Sequence, residues 1–160
     1  MRILGIDPGF ERLGIAVLEK NTGDRREQVL FSECFKTPAK MDFAERLAML
    51  GEEVRKVISE YKPEMLAIES LFITNNQKTA MHVAEARGVV LYEAARAGLQ
   101  IFEATPPQIK VAVAGHGGAD KAQVMKMVRM LVDIDGAKQS DDELDAIAIA
   151  LTAFASAPRE

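Results

Sequence analysis

Four acidic residues in this 160-residue chain stand where acids are out of place. Asp7 follows the apolar run Ile3-Leu4-Gly5-Ile6 and precedes Pro8-Gly9, and Glu69 follows Met65-Leu66-Ala67-Ile68. Both runs read as buried strands, at whose ends an ionised carboxylate is costly unless something compensates its charge. Asp142 and Asp145 lie three apart in SDDELDAIAIAL, which places them on one face of a helix. Acids in a first turn complement the helix dipole, which is sufficient reason for Asp141 and Glu143. Asp145 lies past that turn, and from Ala146 to Leu151 the helix is apolar all round, as a buried helix is. Ligand sites in open α/β sheets gather at the carboxyl ends of strands, and carboxylates crowded there repel one another. Hard divalent cations with oxygen ligands relieve that repulsion, and magnesium fits. Zinc does not, because Cys34 is the only cysteine and His82 and His116 have no partner at metal spacing.

The elements that must position these acids follow from periodicity. Leu13, Ile15 and Val17 alternate with Gly14, Ala16 and Leu18 as a second strand returning after the Pro8-Gly9 turn, and QVLFSECF is a third beyond the polar NTGDRRE. Asp42 with Glu45 forms an expected capping box for a helix carrying Phe43, Leu47, Leu50, Val54, Val57 and Tyr61, which Lys62-Pro63 ends. The run 65–68 is then a parallel strand reached by a helical crossover. A helix over 79–97 is apolar on two faces and so needs two partners, and a strand over 99–102 follows it. Pro106-Pro107 opens a short helix, AGHGGADK is a glycine-rich loop, and helices are predicted over 119–132 and, from a Ser140/Glu143 capping box, 141–155. The order βββαβαβ followed by helices predicts an α/β fold with a mixed sheet.

Length and composition suit one domain able to bury about two thirds of its unfolded surface. No apolar run reaches the roughly 20 residues of a membrane span, and no secretory signal pattern opens the chain, so the expectation is a cytoplasmic protein with no membrane partner. A lone cysteine excludes an internal disulfide framework and reads as a packed thiol. The formal charge of −4 argues against indiscriminate nucleic-acid binding.

The motifs GIDPG, AIESLF, ARGV, PPQIKVAVAGHGGADKAQV and DELDAIAIAL, in this order and spacing, resemble the RuvC family of bacterial Holliday junction resolvases within the ribonuclease H-like superfamily. The resemblance covers essentially the whole chain. It implies a ribonuclease H-like fold with a five-stranded sheet, three strands antiparallel and two parallel. It implies that Asp7, Glu69, Asp142 and Asp145 are metal-binding catalytic carboxylates, with Asp142 standing where some members carry histidine. Phe72 matches an aromatic that stacks on bases at the opened crossover, and Lys110 and Lys121 match residues used in DNA handling. It further implies four-way junction DNA as substrate, two Mg2+ per active site with Mn2+ as a substitute, and a homodimer paired through the 79–97 helix. Charge at Ala84 or Val90 would then weaken pairing. The junction-binding and branch-migration proteins RuvA and RuvB are the implied partners.

The chemistry agrees with the acids themselves. Hydrolysing a phosphodiester needs an activated water, a stabilised leaving oxygen and relief of charge at the transition state, and two metals about 3.5 to 4 Å apart supply all three. Four carboxylates suit two such ions, which would formally cancel the chain's negative charge. Lys110, Lys121, Lys126 and Arg129 share one region of sequence, and Arg12, Lys78 and Arg87 are candidates to join them on phosphates. Lys126 and Arg129 taken singly read as solvated surface charges. Lys121 follows a glycine-rich loop at a helix start, where amides and a lysine together favour a phosphate. Two rivals are weaker. An actin-like phosphotransferase would close two homologous domains around ATP, and a non-catalytic junction-binding dimer would have lost an acidic position.

Overall fold

The computed structural model describes residues 1–70, 77–132, 134 and 139–156, with backbone only for Gln77 and Lys78. Five strands form one sheet: β1 (Arg2–Asp7), β2 (Arg12–Glu19), β3 (Gln28–Lys36), β4 (Met65–Glu69) and β5 (Gln100–Ala104), in the order β3-β2-β1-β4-β5. β1, β2 and β3 run antiparallel, and β4 and β5 run parallel to β1, as the order of elements predicts. The helices are α1 (Phe43–Tyr61), α2 (Gln77–Arg96), α3 (Pro106–Ala114), α4 (Lys121–Leu131) and α5 (Asp141–Ser156).

The two-residue period of the strands sorts their side chains into two cores. Leu4, Ile6, Leu13, Ile15, Leu66 and Ile68 face α1 and α2. Ile3, Ala16, Leu18 and Ala67 face α5, backed by α3 and α4. Asp7 and Glu69 continue the phase of Ile3 and Ala67, so both acids belong to the α5 side of the sheet.

α5 lies close against that side because the strands offer glycines beneath it. A Cβ on Gly5 would run into the Ala146 carbonyl and come within 2.9 Å of the Ala150 Cβ. A Cβ on Gly14 would run into the Asp142 carbonyl and come within 3.1 Å of the Asp7 Cβ. Hydrogen is the only substituent these two positions admit, and small Ala146 and Ala150 complete the contact from the helix side.

Cap chemistry sets where most helices begin. Ser140 Oγ and the Ser140 amide both donate to Glu143 Oε2 at 2.8 Å, the capping box expected for α5. Thr105 with Gln108 and Asp120 with Gln123 cap α3 and α4 in the same way, so α4 starts two residues later than predicted. The Asp42/Glu45 box does not form: Asp42 is exposed and makes no side-chain cap bond. Packing secures that helix start instead, with Phe43 stacked on His82 at 4.0 Å and Arg46 buried one turn on. α1 ends at Lys62-Pro63 as predicted from sequence, and Lys62 takes the left-handed conformation there.

Val90 of α2 is fully buried against the sheet, so it does not belong to a surface that pairs with another molecule. The exposed face of α2 instead carries Met81, Ala84, Gly88 and Tyr92, one stripe at three- and four-residue spacing. No helix among the described residues is long and apolar enough to cross a membrane.

If the glycine contact sets the seat of α5, Gly5→Ala and Gly14→Ala should each cost about 1 to 3 kcal/mol by overpacking. Thermal melts check this, and an unchanged Tm for both variants would show that the sheet can yield beneath the helix.

Candidate active site

The register builds the site directly. Gly5 pairs with Ala67 and Ile6 with Ile68 across parallel β1 and β4, so Asp7 and Glu69 emerge side by side at the carboxyl ends of adjacent strands. Asp7 lies opposite Gly14 on β2, and the backbone of Asp142 sits over that glycine. Asp145 is one turn further along α5. The four acids singled out from sequence therefore converge on one sheet edge, each half-buried.

Their electrostatics record the crowding. The Asp7 carboxyl is pushed up to about 7, first by burial and then by the negative charges of Asp145, Glu69 and Asp142. Glu69 is raised by burial and by Asp145. Asp145 is raised as well, because burial outweighs the hydrogen bond it accepts from Lys121. Neither Asp7 nor Glu69 accepts a side-chain hydrogen bond from any described residue, an expensive state for buried carboxylates.

Two basic residues supply counter-charge from the rim. Arg12, at the start of β2, directs Nε to Asp142 Oδ2 at 2.9 Å and brings Nη2 against the same oxygen. Lys121, at the start of α4, places Nζ 3.1 Å from Asp145 Oδ2 and 3.9 Å from Asp141 Oδ2. Burial works against the Lys121 ammonium, but the hydrogen bond and charge of Asp145 prevail and hold it above the ordinary lysine range. Both side chains are more than half exposed, at 51% and 61%, which leaves them free to leave their acids for another anion.

All donors at the centre are carboxylate oxygens, a set matched to a hard divalent cation, and the unrelieved charge on Asp7 and Glu69 calls for one. As they stand, no three such groups among the described residues converge closely enough to chelate one ion, so a cation would have to draw the carboxylates inward.

The other candidates divide. Lys110 is half-buried on α3 and makes no hydrogen bond or ion pair among the described residues. Phe72 lies outside the described residues, as does the side chain of Lys78, whose backbone is in the first turn of α2. Arg87 does not join the phosphate-facing set. Its Nε donates to the Glu69 carbonyl at 3.1 Å, and its Nη2 lies 2.7 Å from Glu103 Oε2, a charge contact without hydrogen-bond alignment. Arg129 donates to Gln139 at 3.3 Å, while Lys126 is exposed.

Sequence reasoning missed the β3 side of the site. Cys34 pairs in register with Gly14 and Ser32 with Ala16, which turns both toward α5. Cys34 Sγ lies 3.4 Å from Asp142 Oδ2, and Ser32 Oγ donates to Glu143 Oε1 at 2.7 Å. Burial and then the Asp142 carboxylate push the thiol above its ordinary range, the opposite of an activated nucleophile. The alternation of Ser32 and Cys34 against Phe31 and Phe35 was the available signal.

Comparison with known proteins agrees with the geometry. The family model "Crossover junction endodeoxyribonuclease RuvC" matches residues 3–153. The RuvC crossover junction endodeoxyribonuclease of Desulfitobacterium hafniense is 46% identical over 151 residues, covering 94% of this chain and 90% of the relative. That of Moorella thermoacetica is 42% identical over 158 residues, covering 99% and 93%. Thermus thermophilus RuvC, solved in complex with Holliday junction substrate, superposes with a TM-score of 0.88 at 36% identity, covering 95% of this chain and 92% of that one. The yeast mitochondrial Holliday junction resolvase shares the fold, with a TM-score of 0.70 at 14% identity. With a family match across nearly its whole length and relatives 42 and 46% identical over nearly all of both chains, the chain belongs to the RuvC family of crossover junction endodeoxyribonucleases.

Proposed function

We propose that this chain resolves four-way DNA junctions by metal-dependent hydrolysis of the phosphodiester backbone, with Asp7, Glu69, Asp142 and Asp145 as the metal-holding carboxylates. The observation that carries the reading is Asp7, a half-buried acid pushed up to about 7 by burial and by the other three acids, with no described hydrogen-bond partner. An all-oxygen set favours Mg2+, with two ions per site shared among four carboxylates and Mn2+ as a substitute. When bound, such ions activate water, neutralise the scissile phosphate and stabilise the leaving oxygen.

The chain's own residues do the rest. Asp7 and Glu69 are carried by paired strands and Asp142 and Asp145 by the seated helix, so the backbone beneath all four is fixed and only their side chains need to close on a cation. Lys121 and Arg12 hold the helix acids in the free protein and are suited to transfer to DNA phosphates once a cation takes over that charge. Lys110 adds a further phosphate contact from α3, Lys78 is a candidate from the start of α2, and Phe72 is the candidate for stacking on an unpaired base.

A two-fold dimer would place two such sites to nick two strands of like polarity at symmetric positions. The exposed stripe of Met81, Ala84, Gly88 and Tyr92 on α2 supports that pairing, and Gly88 has open space above it for close helix approach. RuvA and RuvB are the partners this reading assigns for branch migration.

Asp7→Asn should abolish cleavage of a synthetic junction under single turnover while preserving its binding in a gel shift. Substantial cleavage by the folded variant would remove Asp7 from the metal site. Gly88→Glu and Tyr92→Glu, on the exposed stripe, should convert a dimer to monomer by sedimentation and abolish paired nicking. Two fully dimeric, fully active variants would place the interface elsewhere.

A third expectation concerns pH. Asp7 titrates at about 7 in the fold against 3.8 unfolded. Between those values the folded chain holds a proton that the unfolded chain has lost, so this group's contribution to stability falls as pH rises through that window. In chelator, Asp7→Asn should therefore melt several degrees above wild type at pH 8, with the gap narrowing toward pH 5 and closing only as the pH falls below 3.8. Magnesium at pH 8 should raise the wild-type Tm and leave the variant nearly unmoved. A gap independent of pH would show that Asp7 is not under the strain described.

A further inference from the structure

The turn between β1 and β2 carries Asp7 at one end and Arg12 at the other, and its far side is gripped by a buried charge that the proposed chemistry does not use. Arg46, near the start of α1, is 6% exposed. Its Nε donates to Thr37 Oγ1 at 2.8 Å, and that hydroxyl donates to the Phe10 carbonyl at 2.6 Å. The Thr37 amide donates to the Glu11 carbonyl at 3.1 Å. The guanidinium also lies 5.1 Å from the centre of the Phe10 ring. That ring meets Phe43 and His82 edge-on, at 5.7 and 5.0 Å. One side chain thus joins α1, the end of β3 and the turn after Asp7, and through Phe10 it reaches the first turns of α2.

The guanidinium is not fully satisfied in this arrangement. Arg46 Nη2 is buried without a hydrogen-bond partner among the described residues, and the Glu11 carboxylate, 4.0 Å away, is largely exposed. An incompletely satisfied buried guanidinium is often no more stable than an apolar residue of similar volume. Leu50 and Val54, one and two turns further along the helix, belong to the apolar core on this side of the sheet. What arginine supplies and leucine cannot is a directional hydrogen bond that orients the Thr37 hydroxyl, and through it the backbone three residues beyond Asp7.

We propose that Arg46 is a positioning residue of the nuclease site. Through Thr37 and Phe10 it holds the β1–β2 turn so that the Asp7 carboxylate and Arg12 keep their places over α5. The inference rests on the assignment of Asp7 as a metal-holding carboxylate. A bond network behind a ligand tunes how well the ligand closes on its ion, and its loss typically costs about 10- to 100-fold in metal affinity or activity.

The test uses the full chain and the variants Arg46→Leu, Arg46→Lys, Thr37→Val and Asp7→Asn. Tm, junction affinity in chelator, and single-turnover cleavage against magnesium concentration are measured for each. Arg46→Leu should melt near or above wild type and bind the junction equally well. Its cleavage should fall about 10- to 100-fold, with a matching rise in the magnesium needed for half-maximal rate. Arg46→Lys should recover part of the rate, since an ammonium can still donate to Thr37. A merely structural arginine would lower cleavage only in step with Tm and junction binding and leave the magnesium dependence unchanged, and that result overturns the proposal. Should Arg46→Leu fail to fold, Thr37→Val keeps the guanidinium and removes only the relaying hydroxyl, and a wild-type magnesium dependence there overturns the proposal equally. Cleavage lost in Asp7→Asn but intact in Arg46→Leu would reject the role of Arg46 alone, whereas an active Asp7→Asn would reject the metal-site assignment beneath it.

Discussion

The contact between α5 and the sheet at Gly5 and Gly14 is the constraint from which the rest follows. A helix normally rests on a sheet through interdigitated side chains, which hold its backbone well above the strands. Here two strand positions have no side chain, and the Ala146 and Asp142 carbonyls occupy the space a Cβ would take. The first turns of α5 are thereby lowered onto the ends of β1 and β2, and Asp142 and Asp145 arrive beside acids that belong to different strands. With larger residues at either glycine the same four carboxylates would exist without forming one site.

Bringing acids together this way opposes folding. Burial and mutual repulsion raise the Asp7, Glu69 and Asp145 carboxyls together, and among the described residues only the last accepts a hydrogen bond from a neighbouring cation. The counter-charges sit at the rim on flexible, half-exposed side chains. Arg12 on Asp142 and Lys121 on Asp145 offset part of the charge that the crowded acids accumulate.

The opposite face of the sheet serves the site indirectly. α1 and α2 bury an apolar layer, yet each sends one arginine to the strand-end backbone: Arg46 toward the Phe10 carbonyl by way of Thr37, and Arg87 to the Glu69 carbonyl. The residues that follow a strand have lost the ladder that held them, and hydrogen bonds from the far layer replace it. The two strands bearing Asp7 and Glu69 are therefore secured from below while their carboxylates stay free above.

Sequence by itself determined the elements and the acids. Strand alternation in Leu13 to Leu18, the Ser140/Glu143 box, the Lys62-Pro63 stop and the apolar circumference of Ala146 to Leu151 are local properties, and local physics decides them. An acid ending an apolar strand is legible for the same reason, since its cost is visible without knowing its neighbours. Partnership was not legible. Arg87 and Arg12 look alike as surface cations, yet one turns to a backbone carbonyl beneath the sheet and the other to Asp142. Val90 and Ala84 share an apolar helix, but only the way α2 is seated tells which one is core. Cys34 came beside Asp142 through the register of β3 on β2, and Arg46 became a buried hub through the packing of α1 on the turn after Asp7. These are contacts between residues far apart in the chain, and they exist only once the layers have closed, because the periodicity of each element fixes its own faces but not what another element will lay against them.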